Sequence, residues 1–428
     1  MTEENKSIKK FPNSGNIPKL RFSEFTGNWI KYHLKEIAEK ANNKNNNNKI
    51  STVFSNSAVQ GIVLQSDYFD KSIANKENLE GYYVVEPFDF VYNPRLSSTA
   101  EVGAMSVNKT NLTGLVSPLY TVFRIKENNI NIPFLEYLFK SKVWHNYMRS
   151  IANYGARDDR MNVRSDDFYN LPLTIPNFSE QNKISTFLSL IEVRIQTQKK
   201  IIEKLETLMK ASRINIFSQK LRFKDKQGYD FPDWKKLKLG KIGNFQTSSI
   251  DKLSKENENE VYLVNYMNVY RHEDINPSTI KSFQKVTAKE QQITSCNLKK
   301  GDILFTPSSE TPDDIGHSVV ISENLENAVF SYHLMRFRPK IEIDILYSHY
   351  FCNVPIVLNQ LSKFATGSTR FTISVKSFSD VEISLPGLTE QKVIGRFLSL
   401  VENKIDTEKQ ILEKLEFQKK FLLANLFV

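Results

Sequence analysis

Histidine, cysteine and paired acidic side chains are the residues best able to supply nucleophilic, acid–base or metal chemistry, and here they are scattered. The chain has six histidines and two cysteines, and neither set has the spacing of a metal site. Glu402-Asn403-Lys404 has a nuclease-like spacing, but it falls on a predicted helix and lacks a suitably placed aspartate. We therefore predict no catalytic residue and no metal ligand in this chain.

The motifs of nucleotide and methyl-group chemistry are also missing. The sequence contains neither the phosphate loop Gly-x-x-x-x-Gly-Lys-Ser/Thr nor the Asn/Asp-Pro-Pro-Tyr/Phe element of base methyltransferases. A chain of 428 residues without an active-site pattern is better explained as a binder or scaffold than as an enzyme. A stand-alone nuclease or methylase is the least favoured of the hypotheses.

The charge balance indicates the kind of partner. Lysine and arginine number 58 against 48 aspartates and glutamates, a formal net charge of +10, which favours a polyanionic partner such as nucleic acid. Two cysteines fit a reducing compartment, and no apolar run is long enough to span a membrane. The polar, charged start of the chain is not a signal peptide. These features predict a cytoplasmic protein.

The elements that position any functional residue come from an internal duplication. Residues 176–206 align with 386–416 at a constant offset of 210 without gaps, and 17 of the 31 pairs are identical. At roughly 100–200 residues per domain, the chain is long enough for two to four domains. Because this repeat closes each half of the chain, we predict two equivalent halves.

A second, shorter repeat opens each half. Lys-Leu-Arg-Phe occurs at 19–22 and again at 220–223. The interiors diverge, although residues 89–94 faintly resemble 302–307. Their alternating β-branched and aromatic runs, separated by turn residues, predict strands, and residues 133–151 predict one helix.

The closing repeat predicts a long amphipathic helix in each half. Each helix follows a proline, with Ser179 and Thr389 as N-caps. Apolar residues then recur at alternating spacings of three and four over about five heptads, which is the pattern of a coiled-coil seam. The seam residues expected to pack the helices together are Leu188, Ile191, Ile195, Ile202, Leu205, Leu398, Val401, Ile405, Leu412 and Leu415.

Each helix of about 36–38 residues would be roughly 55 Å long and needs a partner along its apolar stripe. An antiparallel pair made by the two copies would place the halves at opposite ends, whereas parallel pairing between two chains would leave them side by side. The symmetry of the repeat favours the antiparallel pair. Gln198 and Glu408 occupy equivalent positions in the two apolar seams. Each polar side chain either fixes the register of the helix pair or marks a place where the seam is locally solvated.

Several short motifs occur in a characteristic order. Each closing helix begins Pro-x-x-Ser/Thr-Glu-Gln and continues Ile-x-x-Phe-Leu-Ser-Leu, and Gly-Asp-Ile-Leu-Phe lies at 301–305. Gly-Ser-Thr-Arg at 367–370 shortly precedes the second helix. With the Pro-x-Leu-Arg-Phe-like start at 18–22, this arrangement resembles the specificity subunit of type I restriction-modification enzymes over essentially the whole chain.

The first half departs from the Gly-Ser-Thr-Arg motif. It has Gly-Ala-Arg-Asp-Asp-Arg at 155–160 instead. The offset of 210 pairs Arg160 with Arg370, while the two extra residues leave Arg157 as an alternative counterpart.

The resemblance implies an α+β fold with two globular α/β target-recognition domains. Two long antiparallel coiled-coil helices would separate them, with pseudo-two-fold symmetry. The implied segments are a tail at 1–17, a first target-recognition domain at 18–178, a central conserved helix at 179–218, a second target-recognition domain at 219–388 and a C-terminal conserved helix at 389–428.

The resemblance also implies a division of labour. Each domain would read one half of a bipartite, asymmetric sequence in double-stranded DNA, and the helix pair would set the gap and dock two methyltransferase subunits. This chain would be non-catalytic. The full complex, with two restriction subunits, would have adenine-N6 DNA methyltransferase and ATP-dependent endonuclease activity. S-adenosylmethionine, ATP and Mg would be bound by the partner subunits, so no cofactor is expected here.

Geometry is compatible with that role, since half-sites on one side of a duplex lie roughly 34–36 Å apart or a multiple of this. The alternative hypothesis is a coiled-coil scaffold that joins partner proteins without sequence-specific DNA binding. Enrichment of a bipartite motif from random duplex would decide between the two.

Lysine and arginine side chains would contact phosphates, and polar loop side chains would read base edges. Each candidate has an alternative as a turn cap or a solvated charge. The candidates in the first domain are Asn93, Arg95, Ser97, Ser98, Arg157, Arg160 and Arg164. Those in the second domain are Tyr270, Arg271, Thr306, Ser308, Ser309, Thr311, Ser368, Thr369 and Arg370.

Overall fold

The structure is a computed structural model, and it describes residues 8–10, 16–68, 79–153 and 159–428. The chain forms two compact units, and both units include parts of both long helices. The first unit contains Met1–Lys199 and Ile411–Val428, and the second contains Lys200–Gln410. Across the described ranges, no helix has the length and apolar character needed to cross a bilayer.

The first unit is built mostly from short antiparallel strands and short helices. Its strands are β1 (Ile8–Lys10), β2 (Leu20–Phe22), β3 (Ile30–His33), β4 (Ala38–Lys40), β5 (Phe54–Ser57), β6 (Gly61–Leu64), β7 (Tyr83–Val85), β8 (Phe90–Asn93), β9 (Ala104–Val107), β10 (Gly114–Val116), β11 (Thr121–Ile125) and β12 (Pro172–Ile175). Its helices are α1 (Leu34–Ile37), α2 (Gln65–Tyr68), α3 (Ile132–Lys140), α4 (His145–Ile151) and α5 (Ser165–Tyr169), followed by α6 (Phe178–Phe217), which continues into the second unit.

The second unit repeats this organisation. Its strands are β13 (Lys235–Lys238), β14 (Gly243–Thr247), β15 (Asn259–Val264), β16 (Gln284–Ala288), β17 (Ile303–Phe305), β18 (Ser308–Ser309), β19 (Ser318–Val320), β20 (Ala328–Phe330), β21 (Met335–Pro339), β22 (Phe371–Thr372) and β23 (Glu382–Leu385). Its helices are α7 (Leu239–Ile242), α8 (Tyr266–Tyr270), α9 (Glu290–Cys296), α10 (Ile345–Phe351), α11 (Pro355–Phe364), α12 (Val375–Asp380) and α13 (Leu388–Asn425), with short 3-10 turns at Thr279–Ser282 and Pro312–Asp314.

The duplication extends into the divergent interiors. A four-stranded antiparallel sheet has the order β4-β11-β8-β9 in the first unit and β14-β21-β17-β19 in the second. The two-stranded pair β3-β12 likewise corresponds to β13-β23. The predicted mixture of helices and strands is therefore confirmed.

A buried aspartate fixes the same point of both sheets. Arg124 donates to both carboxylate oxygens of Asp89 at 2.7 and 2.9 Å, and Arg338 does the same to Asp302 at 2.7 and 2.7 Å. Both aspartates are almost fully buried, so each carboxylate needs its arginine to compensate for lost solvation. The faint resemblance between 89–94 and 302–307 thus records a structural anchor of the sheet.

The units differ in what surrounds this sheet. The first adds the two-stranded pairs β5-β6 and β7-β10, whereas the second adds a three-stranded sheet in the order β16-β15-β20. In that sheet β15 and β20 are parallel, and it encloses a hydrophobic cluster of its own. Within their divergent interiors, the two units therefore share the four-stranded sheet and differ in the strands packed around it.

Three sequence-based expectations differ from the structure. Part of the predicted tail at 1–17 forms β1, which pairs antiparallel with β2. The single helix predicted at 133–151 is two helices, α3 and α4. The break occurs because the backbone of Ser141 is extended. The Trp144 indole N–H then donates to the Phe139 carbonyl at 3.0 Å. In a continuous helix, that carbonyl would accept a backbone N–H of the next turn.

The predicted N-caps of the long helices are the third difference. The helices begin at Phe178 and Leu388, two residues earlier than a Ser179 or Thr389 cap requires. In α6 the cap is Asn177, whose side chain accepts the backbone N–H of Glu180 at 2.9 Å. Asparagine and glycine are themselves competent caps, and Asn177 and Gly387 stand at these positions.

Within each unit, segments of α6 and α13 pack against each other. In the first unit Glu192 bonds Lys419 at 2.6 Å and Lys199 bonds Glu416 at 2.7 Å, so the two segments run in opposite directions. Among the seam positions of this unit, Leu188, Ile191, Ile195 and Leu415 are buried and Leu412 is half-buried.

In the second unit, Lys409 bonds Glu206 at 2.7 Å. This ion pair is the repeat counterpart of Lys199 with Glu416, because both residues are displaced by 210 positions. Ile202, Leu398 and Ile405 are buried here, and Leu205 and Val401 are half-buried.

Candidate nucleic-acid interface

The opening repeat of the first unit is tied to the start of α6. Arg21 donates to both carboxylate oxygens of Glu180 at 2.7 Å, and the Trp29 indole N–H donates to the same carboxylate at 3.2 Å. All three side chains are buried. Next to them, Gln181 donates to the Pro176 carbonyl at 2.9 Å, which explains the spacing of the Pro-x-x-Ser-Glu-Gln motif.

The second unit has the same anchor with weaker burial. Arg222 contacts both oxygens of Glu390 at 3.3 and 3.0 Å, and Trp234 donates to Glu390 at 3.0 Å. Gln391 donates to the Pro386 carbonyl at 2.9 Å. The repeated motifs therefore hold each globular part against a long helix, and their buried side chains are not available to a nucleic acid.

A second repeated contact lies farther along the long helices. Tyr137 donates to Glu192 at 2.8 Å, and the same carboxylate bonds Lys140 at 3.0 Å and Lys419 at 2.6 Å. Burial alone would raise the pKa of Glu192, but these three donors lower it to about 2. Its counterpart Glu402, from the nuclease-like Glu-Asn-Lys run, accepts a hydrogen bond from Tyr350 at 2.6 Å.

The polar loop after β8 meets the segment before α5. Arg95 and Arg160 form a β-bridge, and the Leu96 N–H donates to the Asp159 carbonyl at 2.8 Å. The Arg95 side chain is 72 % exposed, and Asp159 contacts the two arginine side chains only at 3.9 and 3.7 Å. Loosely held guanidinium groups of this kind can exchange a carboxylate for a phosphate.

The remaining candidates of the first unit have mixed environments. Ser97, Ser98 and Arg164 are exposed. Asn93 is half-buried and caps its own turn, because its side chain accepts the Arg95 N–H at 3.0 Å and donates to the Asn56 carbonyl at 3.1 Å. Arg157 lies outside the described residues.

In the second unit the corresponding loop is a short ladder, in which β18 pairs with β22. Thr306, Ser308 and Ser309 are buried, so these side chains lie away from solvent, and their contact with DNA stays a prediction. The reason for the burial is the pairing itself, which turns the serines into the interior. Arg370 is exposed and donates to the Ser308 hydroxyl at 3.1 Å, so the serine orients the arginine.

Other candidates of the second unit remain accessible. Thr311, Ser368 and Thr369 are exposed, and so is Arg271, whose nearest carboxylate is 3.9 Å away. Tyr270 is half-buried and donates to Asp314 at 3.1 Å.

Sequence reasoning missed Tyr266. Its hydroxyl donates to the Ser308 carbonyl at 2.9 Å, and its ring stacks on Tyr270 with centroids 5.8 Å apart. The spacing of two tyrosines four residues apart on one helix was the available signal. With Arg370, Tyr266 forms an aromatic and cationic edge that suits contact with bases and phosphates.

The correspondence between the two loops also needs correction. The Met161 N–H donates to the Pro94 carbonyl at 3.0 Å, and the Ile373 N–H donates to the Pro307 carbonyl at 2.9 Å. Met161 therefore matches Ile373 at an offset of 212, and the expected equivalence of Arg160 with Arg370 is wrong. Arg160 matches Thr372, because the first half carries its two extra residues after Met161.

Across residues 8–10, 16–68, 79–153 and 159–428, no three histidine, cysteine, aspartate or glutamate side chains are placed to hold a metal ion. Nearby, His317 bonds Asp314 at 2.9 Å and lies 3.2 Å from His272.

Comparison with known proteins agrees with this architecture. Residues 232–417 match the family model of the type I restriction modification DNA specificity domain. The MjaX specificity subunit of a type I restriction enzyme from Methanocaldococcus jannaschii is 23% identical, and the alignment covers 98% of this chain and 97% of the relative. The MjaVIII specificity subunit of the same organism is 26% identical over 60% of this chain and 62% of its own length.

Two solved structures share the fold. The HsdS subunit from Thermoanaerobacter tengcongensis has a TM-score of 0.53 at 17% identity, covering 93% of this chain and 96% of that one. The type I restriction-modification S subunit from M. genitalium has a TM-score of 0.52 at 15% identity, covering 96% and 99%. With a family match over residues 232–417 and a relative aligned along nearly its whole length, the chain is similar to the specificity subunits of type I restriction enzymes.

Proposed function

We propose that this chain is the non-catalytic subunit that reads DNA sequence for a type I restriction-modification complex, with each globular domain reading one half of a bipartite, asymmetric target. One observation carries the proposal. A duplicated scaffold of anchor, sheet and long helix presents different polar loops at equivalent places, as Arg95 beside Arg160 and as Arg370 beside Tyr266. A reader of two unlike half-sites needs this combination of a common frame and unlike surfaces.

We further propose that residues 18–178 and 219–388 are the target-recognition domains, and that 179–218 and 389–428 are conserved helices forming an antiparallel coiled coil with pseudo-two-fold symmetry. The repeat-related ion pairs Lys199–Glu416 and Lys409–Glu206 support this symmetry. A helix pair of this kind would fix the separation of the two half-sites.

The outer faces of the long helices suit partner docking. Leu190 and Leu400 are repeat counterparts and are 63% and 59% exposed, and Ile201 and Ile411 are 38% and 36% exposed. Large apolar side chains exposed at the same step of both copies are expected where two identical partners bind. We propose that these faces dock the two methyltransferase subunits.

In such a complex the partners would supply the chemistry. Methyltransferase subunits would bind S-adenosylmethionine, and two restriction subunits would use ATP and Mg. The complex would act on double-stranded DNA in the cytoplasm.

Selection from random duplex tests the proposal. The purified chain, assembled with its methyltransferase subunits, should enrich two short motifs at a fixed gap. Adding one heptad at the middle of both long helices should lengthen the gap by up to about three base pairs, at 1.5 Å per residue and 3.4 Å per base pair. No enrichment in the presence of the methyltransferase subunits would instead support the scaffold alternative.

A further inference from the structure

The second unit contains a cavity that none of the preceding functions uses. Its volume is about 770 Å³, and it lies among β19, α10 and the first half of α13. Its lining is acidic although the whole chain carries a net charge of +10. The charged and titratable groups that matter most are Asp274, Asp314, Glu402, Asp406, His349 and Arg213.

The first unit shows what the equivalent carboxylate binds. Glu192 and Glu402 are repeat counterparts, and each accepts a hydrogen bond from a tyrosine of the adjacent helix, at 2.8 and 2.6 Å. The other carboxylate oxygen of Glu192, Oε1, accepts from two primary ammonium groups, those of Lys140 and Lys419, at 3.0 and 2.6 Å. This carboxylate is therefore an ammonium acceptor in the copy where the site is filled.

The second unit has neither ammonium group at the corresponding positions. Counted from the hydrogen-bonded tyrosines, Asn353 stands where the first unit has Lys140, and the repeat offset places Met209 where it has Lys419. Arg213 approaches, but it donates to the Asn353 carbonyl at 2.6 Å. Over the described ranges, no lysine, arginine or histidine forms an ion pair with Glu402 within 4.0 Å.

Asn353 and the exposed Glu402 both line the open volume, so the cavity includes the position that corresponds to Lys140. Asp406 lies one helical turn beyond Glu402 on α13, and Asp274 faces the same cavity from a loop. Carboxylates at several points of one cavity can each accept a charge-assisted hydrogen bond from a separate ammonium group. The volume is also within the usual range of small-ligand sites, about 300–1,000 Å³.

The geometry points to this cavity as a binding site for a free linear polyamine, with one primary ammonium on Glu402 at the place that lysine ammonium groups occupy in the first unit. The assignment is independent of DNA reading. A lysine side chain of a partner subunit carries the same ammonium chemistry, and titration in the absence of partners tests the free polyamine alone.

The test uses the full chain without DNA or partners, titrated calorimetrically with spermidine at 150 mM salt (about physiological screening). One site per chain is expected. Glu402→Gln should weaken binding at least about tenfold, because it removes a charge-assisted bond. Asn353→Lys should abolish binding, because it returns the lysine of the first unit. Glu413→Gln, an exposed change on the same helix, is the matched control and should bind like the parent chain.

Thermal unfolding of each variant shows whether it is folded. Absence of a stoichiometric site in the parent chain would overturn the proposal, and so would parent-like binding by both Glu402→Gln and Asn353→Lys. Binding that is equally weakened in Glu413→Gln would identify general surface attraction and would also overturn it. Failure here would leave duplex selection unaffected, since that experiment needs no polyamine.

Discussion

The two copies of the helix anchor differ in burial, and this difference predicts unequal effects of the same substitution. In the first unit the Arg21 and Glu180 side chains are 3% and 0% exposed, whereas in the second the Arg222 side chain is 22% exposed beside a buried Glu390. Replacing either glutamate by glutamine keeps the shape but removes the negative charge. The arginine then remains without its compensating carboxylate.

The magnitudes follow from the solvation of each arginine. Breaking a buried ion pair by removing one partner lowers stability by about 3–5 kcal/mol, because the other charge stays buried. We therefore expect Glu180→Gln to lower the free energy of unfolding by about 3–5 kcal/mol. Glu390→Gln should lower it by about 1–3 kcal/mol, since water partly solvates Arg222 and screens the lost interaction.

Urea unfolding followed by far-ultraviolet circular dichroism measures both variants, and hydrogen exchange of peptides around Arg21 and Arg222 shows which unit is affected. Glu413→Gln is the surface control and should stay within about 0.5 kcal/mol. An effect of Glu390→Gln equal to or larger than that of Glu180→Gln would refute the reasoning from burial.

Three other predictions concern recognition, acid stability and assembly. Arg370→Ala should weaken DNA binding by about 1–3 kcal/mol. Ser308→Ala should weaken it by less, because this change removes only the 3.1 Å hydrogen bond that orients the arginine. Unchanged DNA affinity of Arg370→Ala at two salt concentrations would exclude the contact. The pKa of Glu192 is about 2, below its usual 4.5, so its stabilising contribution is complete above 4.5 and is lost as pH falls toward 2. Lys419→Met should lower the free energy of unfolding at pH 7 by about 1–2 kcal/mol and should reduce the loss of stability between pH 4.5 and 2. Urea unfolding at several pH values measures both effects, and an unchanged loss of stability in this pH range would contradict the assignment. Leu400→Glu should reduce association with methyltransferase subunits in a pull-down without changing helix content, and normal association would exclude this face.

Regularities that repeat within a few residues were predictable from the sequence. The long helices were recognisable because a seam at spacings of three and four needs only neighbouring residues to be read. The structure begins both helices one residue before the predicted segments at 179 and 389, and Asn177 rather than Ser179 caps the first. Adjacent cap-forming residues compete, and the sequence alone does not rank them.

The polar loops show where sequence reasoning stops. Ser308 and Arg370 were both plausible DNA contacts by residue type, yet one is buried and the other exposed. The decision is made by pairing between β18 and β22, whose paired residues Ser308 and Thr372 are 64 positions apart in the chain. In the first unit, the equivalent long-range pairing is the bridge between Arg95 and Arg160. The constant offset of the repeat does not predict this pairing.

By itself, the sequence determined that the chain is duplicated, that each half closes with an amphipathic helix, and that the shared parts are scaffold. These features follow from local periodicity and from sequence identity between the two copies. Only the tertiary structure decided that Glu180 and Glu390 are buried anchors, which loop side chains reach solvent, and that Glu402 lacks the lysines of its counterpart. Burial and charge compensation depend on residues distant in sequence, so no local pattern carries them.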